Sequence, residues 1–182
     1  GMLFDQARGV FLMFGGRRTG GGASFADSWQ YNPKSNQWRS LEPKHSPPLQ
    51  DHVNLAYDAK HSKSILFCGA RKQDTTLAST WVYDHAGNSW AKVNTQASPT
   101  GDHTSLQYNP RNGTLLLFGN SEVTRGLCTW EFDYATSAWT RLRSKRLPSY
   151  REHFGMAYDS SQDQFLILGG FPTNKNWLLK LQ

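Results

Sequence analysis

The chain has 182 residues, a formal net charge of +6 and 13% aromatic residues, and this length suffices for one well-buried domain. Its two cysteines are too few for a disulfide-rich scaffold. It has no apolar run long enough to cross a bilayer and no signal peptide. This excludes a typical helical membrane protein and leaves the compartment open, with a slight preference for the cytoplasm.

Short apolar runs follow one another along the chain, each with a glycine at or beside its end. They lie at 10–16, 65–70, 115–120 and 165–170. Such short runs, bounded by turn formers, indicate buried β-strands, because a helix would need ten or more residues. An aromatic residue followed by Asp or Asn precedes each run. These pairs are Phe4-Asp5, Tyr57-Asp58, Tyr108-Asn109 and Tyr158-Asp159.

The tryptophans occupy two positions of the same repeat. The first position holds Trp29, Trp81, Trp130 and Trp177, and the second holds Trp38, Trp90 and Trp139. The repeat is about 50 residues long, which is typical of a four-stranded propeller blade. The pattern predicts that Trp81 and Trp130 are core residues, and their replacement by Ala would then cost about 3–5 kcal/mol.

The whole pattern resembles that of the kelch-repeat proteins, and the resemblance covers nearly the entire chain. Its strongest carriers are Tyr158-Asp159, the run at 165–170, the paired tryptophans and the stretch at 148–159. The resemblance implies an all-β fold, the β-propeller, which is also the central architecture of galactose oxidase. A single domain is predicted over residues 2–182. Its units are approximately 2–45, 46–97, 98–147 and 148–182, and the last unit lacks its fourth strand.

The number of blades is left open by the repeat. The four units would form a closed four-blade ring, or half of a larger propeller, either as part of a longer protein or completed by a second copy in a homodimer. Closure matters because it removes exposed strand edges.

An acidic residue followed by histidine recurs just before the first strand of three units. The pairs are Asp51-His52, Asp102-His103 and Glu152-His153. Three histidines on one ring could bind a transition metal. The recurrence itself favours a structural role, however, because the same blade is built each time. We therefore predict no metal site and no cofactor, and keep His52, His103 and His153 as candidates for the alternative.

Galactose oxidase resemblance would imply a copper site that includes a cysteine cross-linked to tyrosine. Cys68 lies inside a buried strand run and is predicted to fill an apolar position of the core. The resemblance therefore does not predict a copper oxidase here, and no catalytic residues are assigned.

Basic residues cluster in the loops that follow the second and fourth strands of the units. A mixed but basic surface steers acidic partners, whereas dispersed charge and aromatics committed to packing argue against nucleic acid. We predict a non-catalytic module that binds a protein or peptide, with preference for an acidic one, and no membrane. The alternative is a glycan- or metal-binding propeller, as a fragment of an oxidase-like or lectin-like enzyme. The predicted partner contacts are Arg17, Arg18, Arg71, Lys72, Arg125 and Arg151.

Overall fold

Four antiparallel β-sheets make up the regular structure of the chain. This computed structural model describes residues 1–20, 22–49, 52–69, 78–101, 103–121, 126–144 and 146–180. Sheets 1, 2 and 3 have four strands and sheet 4 has three, and in each sheet the strands pair in chain order. Within these residues, no helix has the length and apolar character needed to cross a bilayer.

The strands have the following bounds. Sheet 1 contains β1 (Met2–Asp5), β2 (Val10–Arg17), β3 (Ser24–Asn32) and β4 (Gln37–Leu41). Sheet 2 contains β5 (Val53–Asp58), β6 (Lys63–Cys68), β7 (Ser79–Asp84) and β8 (Ser89–Val93). Sheet 3 contains β9 (Thr104–Asn109), β10 (Thr114–Ser121), β11 (Gly126–Asp133) and β12 (Ala138–Leu142). Sheet 4 contains β13 (Gly155–Asp159), β14 (Gln164–Leu168) and β15 (Trp177–Leu179).

The hairpin turns share one design, which explains the Asp or Asn that follows the aromatic residue in each repeat. The Asp58 carboxylate accepts a hydrogen bond from the His61 backbone N–H at 3.1 Å, and Asp84 accepts one from Gly87 at 3.0 Å. Such side chains fold the backbone of a turn onto themselves. The turn then closes through a residue in the left-handed conformation, such as Asn88 with φ 46°, where Asn and Gly are tolerated best.

The first of two compact units comprises residues 1–68 and 79–94 and holds sheets 1 and 2. Trp90 is only 1% exposed and packs edge-on against Phe14 at a centroid distance of 5.5 Å. Its indole N–H donates to the Ser28 hydroxyl at 3.0 Å. Trp90 therefore joins the outermost strand of sheet 2 to the apolar face of sheet 1. The core around it consists of Leu3, Leu12, Phe14, Leu41, Val53, Leu55, Tyr57, Leu66, Cys68 and Tyr83.

The second unit comprises residues 69–78 and 95–182 and holds sheets 3 and 4. Its core is built from the second strands of the two sheets, β10 and β14, and from β11 and β13. The buried members are Leu116, Phe118, Leu127, Met156, Phe165 and Ile167. Phe118 also stacks edge-on against Phe154 at 5.5 Å, and this contact ties sheet 3 to the segment that leads into sheet 4.

The burial of the tryptophans differs from the prediction. Trp81 and Trp130, from the first position, are only partly buried, whereas Trp90 and Trp139, from the second position, are buried. Trp90 packs against Phe14 of the neighbouring sheet, whereas the Trp81 indole N–H donates to the Ser79 hydroxyl of its own strand. Trp81 nevertheless packs against the first core, so the predicted core position of Trp81 and Trp130 is met by partial rather than full burial.

Both cysteines are free and buried. Cys68 has no exposed surface and fills an apolar position of the first core, as its place in the β6 run predicted. Burial raises the pKa of its thiol to about 12, so the thiolate, which is the reactive form, is scarce near neutral pH.

Candidate functional site

The loop between β2 and β3 presents two of the predicted contact residues to solvent. Arg17 and Arg18 are both exposed. The Arg18 backbone N–H donates to the Ala23 carbonyl at 3.2 Å, and the Arg17 guanidinium donates to the Gly22 carbonyl at 3.3 Å. These bonds hold the two arms of the loop together. Hydrogen bonds across the base of the loop therefore fix the backbone that carries Arg17 and Arg18.

An exposed aromatic residue lies at the same end of sheet 1 as these arginines. Arg17 pairs with Ser24 across the β2–β3 ladder, and the next residue along β3, Phe25, pairs with Gly16. The Phe25 side chain is 45% exposed. Arginine and aromatic side chains dominate the binding energy of protein interfaces, so this end of sheet 1 has the composition of a binding surface. We call the set Arg17, Arg18 and Phe25 the arginine hairpin.

Arg151 does not lie where the sequence analysis placed it. Its side chain has no exposed surface, and burial lowers the pKa of its guanidinium. One guanidinium nitrogen donates to the carbonyls of Gly169 and Lys175, at 3.0 and 2.8 Å. The sequence predicted a solvent-facing contact because Arg151 sits in a basic loop. In the fold, Arg151 is instead buried and its hydrogen bonds stabilise the loop between β14 and β15.

The remaining predicted contacts, Arg71, Lys72 and Arg125, lie outside the described residues. His52, in the first unit, is exposed and directly precedes β5. Its φ of 58° is in the left-handed region that few residues other than Gly, Asn, Asp and His adopt readily.

In the second unit, the structure brings two of the predicted histidines together. The rings of His103 and His153 meet edge-on at a centroid distance of 4.6 Å. The His103 Nε2 atom lies 3.8 Å from a carboxylate oxygen of Glu152, and the other carboxylate oxygen accepts a short hydrogen bond from the Tyr150 hydroxyl. We call these four residues the histidine cluster.

The backbone around the histidine cluster is tightly fixed. Glu152 and Phe171 exchange two backbone hydrogen bonds, each 2.9 Å long. His103 and His153 have φ values of 45° and 53°, the same left-handed conformation as His52. The repetition seen in sequence thus has a conformational cause: each histidine turns the chain into a first strand.

Gly119 allows the strand that follows His103 to come close. A Cβ atom on Gly119 would lie 2.6 Å from the Thr104 Cα and 2.8 Å from the His103 carbonyl oxygen. Any side chain there would push β9 away from β10. The glycine at the end of this apolar run is therefore needed for close approach, and it sets the position of His103.

A polar cavity of about 290 Å³ lies in the first unit, and sequence reasoning did not find it. Its lining residues are Gln30, Arg39, Ser40, Leu41, Glu42, Tyr83, His85 and Asn88. His85 Nε2 lies 3.1 Å from a carboxylate oxygen of Asp5. Burial, and then the nearby Arg8, hold the pKa of His85 below its usual range. In the sequence, Asp84 and His85 look like ordinary residues of a recurring turn. Nothing in that local pattern indicates that His85 contacts Asp5, which lies 80 positions earlier.

Comparison with known proteins identifies the family. The model of the KLHDC2/KLHL20/DRC7 Kelch-repeats domain matches residues 4–181. The chain belongs to the Kelch-repeat family. Its fold class is therefore the β-propeller, as the sequence predicted, and kelch domains commonly mediate protein interactions.

One solved structure, described as the structure of YjhT, is similar in fold. The TM-score is 0.64 at 16% sequence identity, over 89% of this chain and 56% of that one. At this identity the likeness concerns the fold alone. This kelch chain thus spans little more than half the length of that structure. No sequence among the curated proteins matches this chain.

Proposed function

We propose that this kelch chain is a non-catalytic binding module that uses the arginine hairpin to capture an acidic peptide segment of a partner protein. The observation that carries the proposal is the presence of two exposed arginines and an exposed phenylalanine at one end of sheet 1. The arginines supply long-range attraction and charge-assisted hydrogen bonds. Phe25 supplies apolar area that an aromatic or aliphatic side chain of the partner would cover.

The loops at the same place in the repeat extend the proposal. Arg71 and Lys72 follow the second strand of sheet 2, and Arg125 follows that of sheet 3. They stay candidate partner contacts, predicted from the repeat alone. Arg151 is buried against the loop between β14 and β15 and is not part of the contact set.

Selection from a random peptide library displayed on phage tests the proposal, with the immobilised wild-type protein as bait. We expect the enriched peptides to be rich in Asp and Glu, with at least one aromatic or aliphatic residue. Their affinity should fall steeply as salt is raised, because the attraction between exposed charges is screened. Failure to enrich any sequence would argue against a peptide-binding module.

Charge reversal locates the contact. The double variant R17E/R18E should weaken binding of the enriched peptides at least tenfold. The matched control is K34E/K60E, which changes the net charge by the same amount. Lys34 and Lys60 are exposed residues of the β3–β4 and β5–β6 turns. These turns lie at the ends of the strands opposite to the β2–β3 loop. Equal loss in both variants would mean that only net charge matters. Unchanged binding by R17E/R18E would exclude the arginine hairpin.

A homodimer that completes the propeller stays a prediction. Light scattering behind a sizing column tests it, because one chain has a mass of 20.6 kDa. A dimer would place two arginine hairpins in one assembly, and a divalent peptide should then bind more tightly than a single copy.

A further inference from the structure

We propose that His103, His153 and Glu152 form a binding site for a divalent transition metal such as Zn²⁺. Imidazole nitrogen and carboxylate oxygen are both good zinc ligands, and three protein ligands plus water are a common zinc arrangement. This site lies in the second unit and needs none of the residues of the arginine hairpin. It is therefore a second binding activity, separate from peptide capture.

The distances fit a site that closes by small side-chain rotations. Ligand nitrogens of His103 and His153 lie within 4.8 Å of each other, and Glu152 Oε2 lies 3.8 Å from His103 Nε2. Bonds of about 2.0–2.2 Å in a tetrahedral arrangement place neighbouring ligand atoms about 3.3 Å apart. The His103–Glu152 pair therefore has to approach by roughly half an ångström, and the His103–His153 pair by up to about one and a half.

The carboxylate is supported in the manner of a metal ligand. Tyr150 donates its hydroxyl to one oxygen of Glu152, while the other oxygen faces His103. Hydrogen bonds from such outer partners orient ligands, and their loss typically reduces metal affinity 10–100-fold. The backbone of Glu152 is held by its bridge to Phe171, so the carboxylate starts from a fixed position.

Access and charge also favour a cation. His153 is exposed and His103 and Glu152 are partly exposed, so an ion and its remaining waters can enter from solvent. Two neutral imidazoles and one carboxylate leave a bound Zn²⁺ with a net charge of +1. A water ligand or a carboxylate from a partner would occupy the open position.

Titration calorimetry tests the site, with protein that carries no affinity tag and has been treated with EDTA and dialysed. We expect one Zn²⁺ per chain, bound in the micromolar range. H103N and H153N should each lower the affinity at least tenfold. Asparagine is chosen because it tolerates the left-handed backbone at both positions, so the loop keeps its conformation. His45 is an exposed histidine of the first unit, and H45A should bind zinc like the wild type.

The outer partner and the coordination are tested separately. Y150F should weaken zinc binding about tenfold, and E152Q should weaken it at least as much. Co²⁺ added to the wild type should give the visible absorption bands of a four-coordinate site with nitrogen and oxygen ligands. Absence of zinc binding by the wild type, or undiminished binding by the double variant H103N/H153N, would overturn the proposal. R17E/R18E should bind zinc normally, which separates this site from the proposed peptide contact.

Discussion

Replacement of Trp90 by alanine should be among the most destabilising changes in the first unit. The side chain is 1% exposed, lies against Phe14 and Tyr83 at centroid distances of 5.5 and 5.0 Å, and donates a buried hydrogen bond to Ser28. Loss of a buried tryptophan costs about 3–5 kcal/mol through the cavity that it leaves. The lost hydrogen bond adds about 1 kcal/mol, so we expect about 4–6 kcal/mol.

The repeat supplies a matched control for this experiment. Trp38 occupies the same repeat position in sheet 1 but is 50% exposed, so W38A should cost less than about 1 kcal/mol. Urea denaturation followed by far-ultraviolet circular dichroism measures both values without relying on tryptophan fluorescence. W90F should fall between them, because it keeps an aromatic ring in the core but loses the indole N–H, its hydrogen bond and part of the volume. Equal costs for W90A and W38A would refute the conclusion that packing against the neighbouring sheet, and not the repeat position, sets the burial.

Three further predictions follow from other buried contacts. R151L should destabilise the protein by about 2–4 kcal/mol, because the backbone carbonyls of Ser149, Gly169 and Lys175 lose a charged donor. R17A, measured by the same urea denaturation, should change stability by less than about 0.5 kcal/mol. Equal effects of the two variants would contradict the buried role of Arg151. G119A should lower the free energy of unfolding by about 1–3 kcal/mol, because the added methyl group pushes β9 away from β10, and it should also weaken zinc binding. An unchanged melting temperature would contradict the close approach of Gly119 to Thr104. The pKa of His85 is lowered in the folded state, so its neutral form stabilises the protein above about pH 6.5, the ordinary histidine value, and this stabilisation should be lost as the pH falls below about 6.5. The unfolding free energy of H85Q should therefore depend less steeply on pH between pH 7 and 5. An identical slope in H85Q and the wild type would contradict this role of His85.

The repeat predicted the fold well because blade construction is local. An Asp or Asn after an aromatic residue caps a turn within four residues, and a short apolar run between turns has few alternatives to a strand. Asp58 and Asp84 show this directly, since each folds its own turn. The place of each strand in its sheet follows from the same short-range order, because the strands pair in chain order.

The contact residues were harder to predict, because the exposure of a side chain depends on which other parts of the chain pack against it in the tertiary structure. Arg17 and Arg151 both follow the same rule in sequence, as basic residues of loops. Arg17 is exposed and Arg151 is buried, because only Arg151 finds the carbonyls of Gly169 and Lys175 within reach. These partners lie 18 and 24 residues from Arg151 along the chain, and no local sequence pattern predicts these contacts.

The sequence by itself determined the kelch repeat and its strands and turns, since these arise from interactions between neighbours along the chain. Tertiary structure alone decided which tryptophans form the core, which arginine faces solvent, and that His103 and His153 come together with Glu152. These outcomes depend on packing between sheets. Packing brings together residues that are distant in sequence, and the same repeat position can then lie in the core of one sheet and at the surface of another.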